Sequence, residues 1–188
     1  MRLTGGQSRG RRLKPPGAAG LRPTPSRVRE ALFDILGTRI KDASFLDLYA
    51  GTGAVGVEAL SRGARRAVFV ERDPAAARLI EENLSLLGRV EAGEILTHPA
   101  MSSLAALKRR GERFNIAFLD PPYDTGAPPE VLAAASDLVV SGGVLVVEHL
   151  TRRPPSPAGS PMLRPGRVYR YGDTSLTVLH RVAAPEAG

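Results

Sequence analysis

Cysteine is absent from the 188 residues. That excludes disulfides, thiolate nucleophiles and Cys-ligated zinc. Histidine is scarce: His98, His149 and His180 are scattered, none falls in a metal-ligand spacing, and no metal site is expected. There is no run of 18 apolar residues and no signal-peptide pattern. The expectation is therefore a soluble, cytoplasmic protein with no membrane partner, and we expect a monomer. Lysine is nearly missing too, with only Lys14, Lys41 and Lys108 among 26 basic residues. The rest are arginines, whose guanidinium groups favour bidentate phosphate contacts and stacking. Against these absences stands 43% hydrophobic content, enough for one globular domain over 1–188 with a sizeable core.

The net charge of +7 is unevenly spread. Residues 1–41 hold ten basic and two acidic residues, a net of +8; residues 42–188 hold 16 basic and 17 acidic, a net of −1. A polyanion partner accounts for such asymmetry through phosphate contacts and counterion release. We therefore divide the chain into a basic N-terminal extension, 1–41, and a core, 42–188. In the extension, Gly and Pro punctuate residues 1–23, which read as two short strands or a hairpin followed by a loop. Thr24 then reads as the N-cap of a helix with Pro25 at its first position, and Val28, Ala31, Leu32, Ile35 and Leu36 give it one buried face.

From Ser44 the pattern alternates between strand and helix. Strands are expected at 45–49, 67–70, near 90–96, at 114–119 and at 144–148. Helices are expected at 54–62, from Asp73-Pro74 to about Leu87, at 101–110 and at 129–138. Apolar strands alternating with helices imply a parallel sheet covered on both faces. At the end, 167–171 and 175–181 form a hairpin that adds an antiparallel strand.

Two motifs carry the chemistry. Gly51-Thr52-Gly53-Ala54-Val55-Gly56 matches G-x-G-x-x-G between a strand and a helix, and Glu71 follows 20 residues after Gly51. This is the dinucleotide fingerprint, so a nicotinamide oxidoreductase must be weighed. Asp47 argues against it. A carboxylate four residues before Gly51 points at the place of a pyrophosphate, and like charges there repel by several kcal/mol at an effective dielectric of about 20. S-adenosylmethionine instead offers a cationic ammonium and sulfonium, to which Asp47 is attractive. The second motif is Asp120-Pro121-Pro122-Tyr123, after the apolar strand 116–119. Two prolines force a turn at a strand's C-terminal edge, where open α/β sheets bind ligands. A carboxylate and a backbone carbonyl are both acceptors and suit a flat group bearing an NH2, on whose face a tyrosine can stack. A nucleobase with an exocyclic amine fits.

Together, residues 47–53 and 120–123 resemble the class I methyltransferases that modify exocyclic amines. Arg9–Lys14, Arg22–Thr24, Arg27–Phe33, Glu58–Ala64 and Arg170–Thr174 narrow the resemblance to the RsmD family, over nearly the whole chain. The resemblance implies a Rossmann-like fold: a mostly parallel seven-stranded sheet with one antiparallel strand from the C-terminal hairpin, plus the small basic N-terminal extension. It implies S-adenosyl-L-methionine as cofactor, S-adenosyl-L-homocysteine as product, and methylation of a guanine N2 in 16S ribosomal RNA, within a small-subunit particle. It places Asp47, Tyr49, Gly51, Thr52, Gly53, Glu71 and Arg72 at the cofactor. It makes Asp120, Pro121, Pro122 and Tyr123 the catalytic target-base site, and sets Arg9, Arg11, Arg12, Lys14, Arg22, Arg27 and Arg29 against RNA. The chain departs from related enzymes at 96–101, where no acid is present to accept from the cofactor's adenine amine. Two rivals share parts of this pattern, an adenine-N6 DNA methyltransferase and a catalytically silent RNA-binding protein on the same fold.

Overall fold

The computed structural model describes residues 1–15, 24–123, 126–156 and 160–183. They form an α/β protein whose seven strands make a mixed sheet, mostly parallel and with one antiparallel strand from the C-terminal hairpin, as expected. The chain divides into two compact units, Met1–Ser103 and Leu104–Gly188. The basic segment shares the first unit with the glycine loop.

The first unit holds helix α1 (Ser26–Leu36) and strands β1 (Ser44–Leu48), β2 (Arg66–Val70) and β3 (Gly93–Leu96), alternating with helices α2 (Ala54–Ser61) and α3 (Pro74–Leu87). Its strand order is β3-β2-β1, all parallel. Every residue of β1 is buried, as a parallel strand covered on both faces requires. Asp73 caps α3 as expected, accepting from the Ala75 N–H at 2.9 Å with Pro74 in the first turn, and Gly88 closes the helix at φ 65°. The start of α1 differs from expectation. Pro25, not Thr24, is the N-cap; it stays extended (ψ 139°), its carbonyl accepts from Val28 and Arg29, and no side chain caps the helix. The region near 90–96 is a short 3₁₀ turn, Val90–Ala92, followed by β3.

The expected N-terminal hairpin reduces to one antiparallel bridge, Arg2–Arg12, flanked by the buried Leu3 and Leu13. The segment lies along α2, where all eight helical residues are buried. Its path depends on glycine. A Cβ on Gly6, whose φ is +77°, would stand 2.0 Å from the Ser61 carbonyl oxygen, and one on Gly5 would strike the Arg62 guanidinium. Gln7 N–H donates to the Ser61 carbonyl, and Ser8 N–H to the Ser61 hydroxyl.

The second unit holds β4 (Phe114–Leu119), α5 (Pro129–Leu138), β5 (Val139–Leu150), β6 (Leu163–Tyr171) and β7 (Thr174–Arg181), in the order β4-β5-β7-β6. Helix α4 (Ala100–Arg109) spans the boundary between the units. β4 and β5 are parallel; β7 is antiparallel to both β5 and β6. Among the described residues, no helix is long and apolar enough to cross a membrane.

Candidate active site

In the first unit the glycine loop turns between β1 and α2. Gly51 and Gly53 have φ of 54° and 72°, in the left-handed region where a side chain is strained. Tyr49 reaches the same region at φ 67° without being glycine, a local strain at the mouth of the loop. The third glycine of the motif has another duty: a Cβ on Gly56 would stand 2.3 Å from the Phe69 ring, so only glycine lets α2 approach β2 this closely.

The acids around the loop are tied to its backbone. Asp47 is 1% exposed, and its Oδ2 accepts the Gly56 N–H at 2.8 Å. Gly56 is the third residue of α2, and the N-cap, Gly53, has no side chain with which to satisfy that donor. Asp47 thus does the work of an N-cap from the neighbouring strand and sets a negative charge at the positive end of the helix dipole. A dinucleotide's pyrophosphate needs that same helix end. The nicotinamide reading therefore meets a helix end already answered by a carboxylate. Glu71, nearly buried, accepts from the Gly51 N–H at 2.7 Å through Oε2 and from the Asp73 N–H at 2.9 Å through Oε1. Both oxygens are fixed, and each keeps a lone pair for a further donor such as a ribose hydroxyl. Arg72 is exposed beside it, and Thr52 is buried.

Asn83 is a residue the sequence reading missed. Fully buried in α3, it accepts the Lys14 N–H at 2.8 Å and donates to the Thr52 carbonyl at 3.0 Å. One side chain joins the basic segment to the glycine loop. The signal was an asparagine on the helix face of Ile80, Leu84 and Leu87.

In the second unit, Asp120-Pro121-Pro122-Tyr123 follows β4 as a turn. The Pro122 carbonyl accepts from the Gly126 N–H at 2.8 Å, while among the described residues none donates to the Pro121 carbonyl. Asp120 is part-exposed and Pro121 buried. Tyr123 is held by its hydroxyl, which donates to Glu148 Oε1 at 3.0 Å and lies 3.2 Å from the Thr174 hydroxyl. Glu148 lies near the end of β5 and is 1% exposed; Thr174 opens β7. Neither was read from the sequence, because they stand 25 and 51 residues from Tyr123. An acid directly after the apolar run 144–147 was the available signal.

Burial pushes the Tyr123 phenol up to about 12, the Thr174 hydrogen bond opposing and the neighbouring Glu148 and Asp120 charges adding. The ring therefore stays neutral as an apolar stacking face throughout the physiological range. Its folded-state value lies above the unfolded 10.0, so its contribution to stability is complete below pH 10 and is lost as pH rises through about 12. In an alkaline titration followed by phenolate absorbance, the difference between the parent and Tyr123→Phe should show a step near pH 12. A step near pH 10 would mean that the hydroxyl is not held this way.

The basic residues fall into distinct classes. Arg9, Arg11, Arg12, Lys14 and Arg27 are exposed; Arg11 donates to the Leu86 carbonyl at 2.5 Å and Lys14 pairs with Glu82 at 2.9 Å. Arg22 lies outside the described residues. Arg29 is a correction. It is 0% exposed, its Nε meets Glu58 Oε2 at 2.5 Å, and its Nη2 donates to the Arg2 carbonyl at 2.6 Å. A guanidinium so enclosed has no face left for a phosphate; Arg29 holds the basic segment in place instead. Glu58 also binds Thr4 and Arg62, the latter at 3.0 Å. Among the described residues, no group of three or more His, Asp or Glu gathers in a way that could hold a metal.

Residues 1–180 match the family model described as conserved hypothetical protein 95. Over 137 residues, 73% of this chain and 67% of the other, the sequence is 44% identical to ribosomal RNA small subunit methyltransferase D of Escherichia coli (strain K12). The chain belongs to the RsmD family. The solved structure of yhhF from Escherichia coli superposes on this RsmD-family chain with a TM-score of 0.84 at 36% identity, covering 98% of this chain and 99% of that one. SMU.776, solved in complex with SAH, shares the fold alone: TM-score 0.70 at 12% identity, over 82% of this chain and 48% of that one.

Proposed function

We propose that this RsmD-family protein is an S-adenosyl-L-methionine-dependent methyltransferase acting on the N2 amine of a guanine in small-subunit ribosomal RNA, with S-adenosyl-L-homocysteine as product. The observation that carries the reading is the Asp120–Tyr123 turn, which combines a carboxylate, a buried proline carbonyl and a half-exposed neutral ring. The 44% identity to a small-subunit ribosomal RNA methyltransferase supports the substrate class.

The residues around the glycine loop fit the cofactor. Glu71 is a fixed acceptor for ribose hydroxyls, Gly51 and Gly53 leave the loop's backbone bare, and Asp47 keeps the loop negative where a sulfonium and ammonium are favoured. When bound, the cofactor supplies an electrophilic methyl group. The chain's own residues prepare the nucleophile. A guanine N2 lone pair is delocalised into the ring, so the free amine is weak. Acceptors at Asp120 and at the Pro121 carbonyl would take one N–H each, turning the nitrogen toward a pyramidal shape and freeing its lone pair for methylation. The Asp120 carboxylate would stabilise the positive charge that the nitrogen gains on methylation, until its surplus proton passes to solvent. Tyr123 stacks on the base, which has to leave its own helical stack to enter.

The deciding experiment is radiolabelled methyl transfer to small-subunit particles from a strain lacking the endogenous activity, followed by digestion and mass spectrometry of the modified nucleoside. N2-methylguanosine is expected. N6-methyladenine would favour the DNA-type rival, and no transfer despite cofactor binding would favour the silent RNA-binding protein.

The exposed arginines give a second test. Arg9→Ala with Arg12→Ala should weaken RNA binding about tenfold or more and make its salt dependence shallower by about two, while thermal stability stays the same. Unchanged affinity and slope would remove the basic segment from the RNA interface. Point changes are better than deleting the segment, because deletion also strips Arg29, Glu58 and Asn83 of buried partners.

A further inference from the structure

The overall charge count hides a second basic stretch. Residues 151–171 contain five arginines, Arg152, Arg153, Arg164, Arg167 and Arg170, and no acid. The last nine residues of this stretch are β6, which ends the order β4-β5-β7-β6 and, among the described strands, pairs on one side only.

The register decides what this edge presents. Glu148 pairs with Leu176, which pairs with Tyr169; Leu150 pairs with Thr174, which pairs with Tyr171. Directly paired residues share a sheet face. Tyr169 and Tyr171 therefore stand on the same face as Glu148 and Thr174, the two residues that hold the Tyr123 hydroxyl. Tyr171 is one strand from Thr174, about 4.8 Å in the pairing direction, and Tyr169 is two strands from Glu148. The chain has four tyrosines, and three of them meet on this one face. All three are neither buried nor fully exposed. A one-residue bulge between Pro165 and Val168 brings Arg167 over the Tyr169 ring, 5.0 Å from its centre. Arg164 is on the same face, and the Arg153 guanidinium reaches the Tyr123 carbonyl at 3.5 Å.

We propose that this face is a nucleotide-stacking platform: Tyr171 and Tyr169 hold bases flanking the one seated at Tyr123, and Arg167, Arg164 and Arg153 meet the intervening phosphates. The inference rests on the proposed function for the identity of the polymer. Aromatic rings interleaved with arginines beside a base-accepting turn are what a splayed single strand requires, since every base has a face to stack and every link a charge to answer. Charges on an edge strand also guard against sheet-to-sheet pairing. That duty explains the arginines and Pro165, but not two half-exposed tyrosines aligned with Tyr123.

The test uses the full chain and a mixed-sequence single-stranded oligoribonucleotide, whose stacking does not depend on the target guanine. Tyr169→Ala and Tyr171→Ala should each weaken binding about tenfold, with Tyr169→Phe and Tyr171→Phe close to the parent. Arg167→Ala should make the salt dependence shallower by about one. S-adenosylmethionine affinity should be unchanged in all five. Parent-like binding by the alanine variants overturns the platform, as does equal loss in the phenylalanine variants or a parent that does not bind the oligonucleotide. If the parent binds with this tyrosine dependence but methylates no small-subunit RNA, the functional reading falls and the platform stands.

Discussion

Asp120→Ala should lower methyl transfer by at least about 100-fold while S-adenosylmethionine binds as before. The asymmetry follows from where the charge appears. On the proposed reading the guanine amine is neutral in the ground state, and Asp120 is one of two acceptors for its protons. In the transition state the nitrogen would carry a growing positive charge, which only the carboxylate would answer. The loss should therefore fall on kcat more than on KM. Asp120→Asn keeps an acceptor oxygen but removes the charge, so it should lie between the parent and alanine. Single-turnover transfer with saturating RNA separates these cases. If Asp120→Ala turns over at the parent's rate, the turn is only a turn, and the catalytic assignment is lost.

The glycine loop of the candidate site was legible because its constraints are local. Left-handed glycines, a strand before them and a helix after them can be expressed only by residues at fixed short spacing, and the structure uses Gly51 and Gly53 for a left-handed turn and Gly56 for the close approach of helix to strand. The Asp120–Tyr123 turn was legible on the same terms, since two prolines leave the chain few options. What supports that turn was not. Glu148 and Thr174 reach Tyr123 through strand pairing between distant segments, and one strand's sequence does not say which residue will stand beside another's. The C-terminal basic stretch was concealed by averaging, because acids elsewhere in residues 42–188 cancel its five arginines. Asp47 was located correctly beside the loop, yet its tie to the Gly56 N–H required the strand and the helix to be seen together.

Arg29 was misread for a reason that the sequence itself contained. Counting charge treats every arginine of the basic segment alike, but position 29 lies three, four and seven residues before Leu32, Phe33 and Leu36, all buried on α1. By helical period, residue 29 belongs on that apolar face. A guanidinium there persists only if its donors are met, and Glu58, the Arg2 carbonyl and the Thr24 carbonyl meet them.

Arg29→Met should accordingly destabilise the protein by about 3–5 kcal/mol, because Glu58 is left in the interior with its charge only partly answered. For a chain of this size that lowers the melting temperature on the order of 10 °C. The segment from Met1 to Lys14 should lose protection from proteolysis at the same time, since Arg29 and Glu58 anchor its backbone at Arg2 and Thr4. Adding Glu58→Leu should recover only part of the loss. The buried charge is gone, but the Thr4 N–H and the Arg62 guanidinium lose their acceptor. The contrast with Arg9→Ala and Arg12→Ala is the sharp point: those exposed changes should reduce RNA affinity at constant melting temperature, whereas Arg29→Met should lower the melting temperature first. An Arg29→Met protein that melts with the parent yet binds RNA weakly would return Arg29 to the RNA interface.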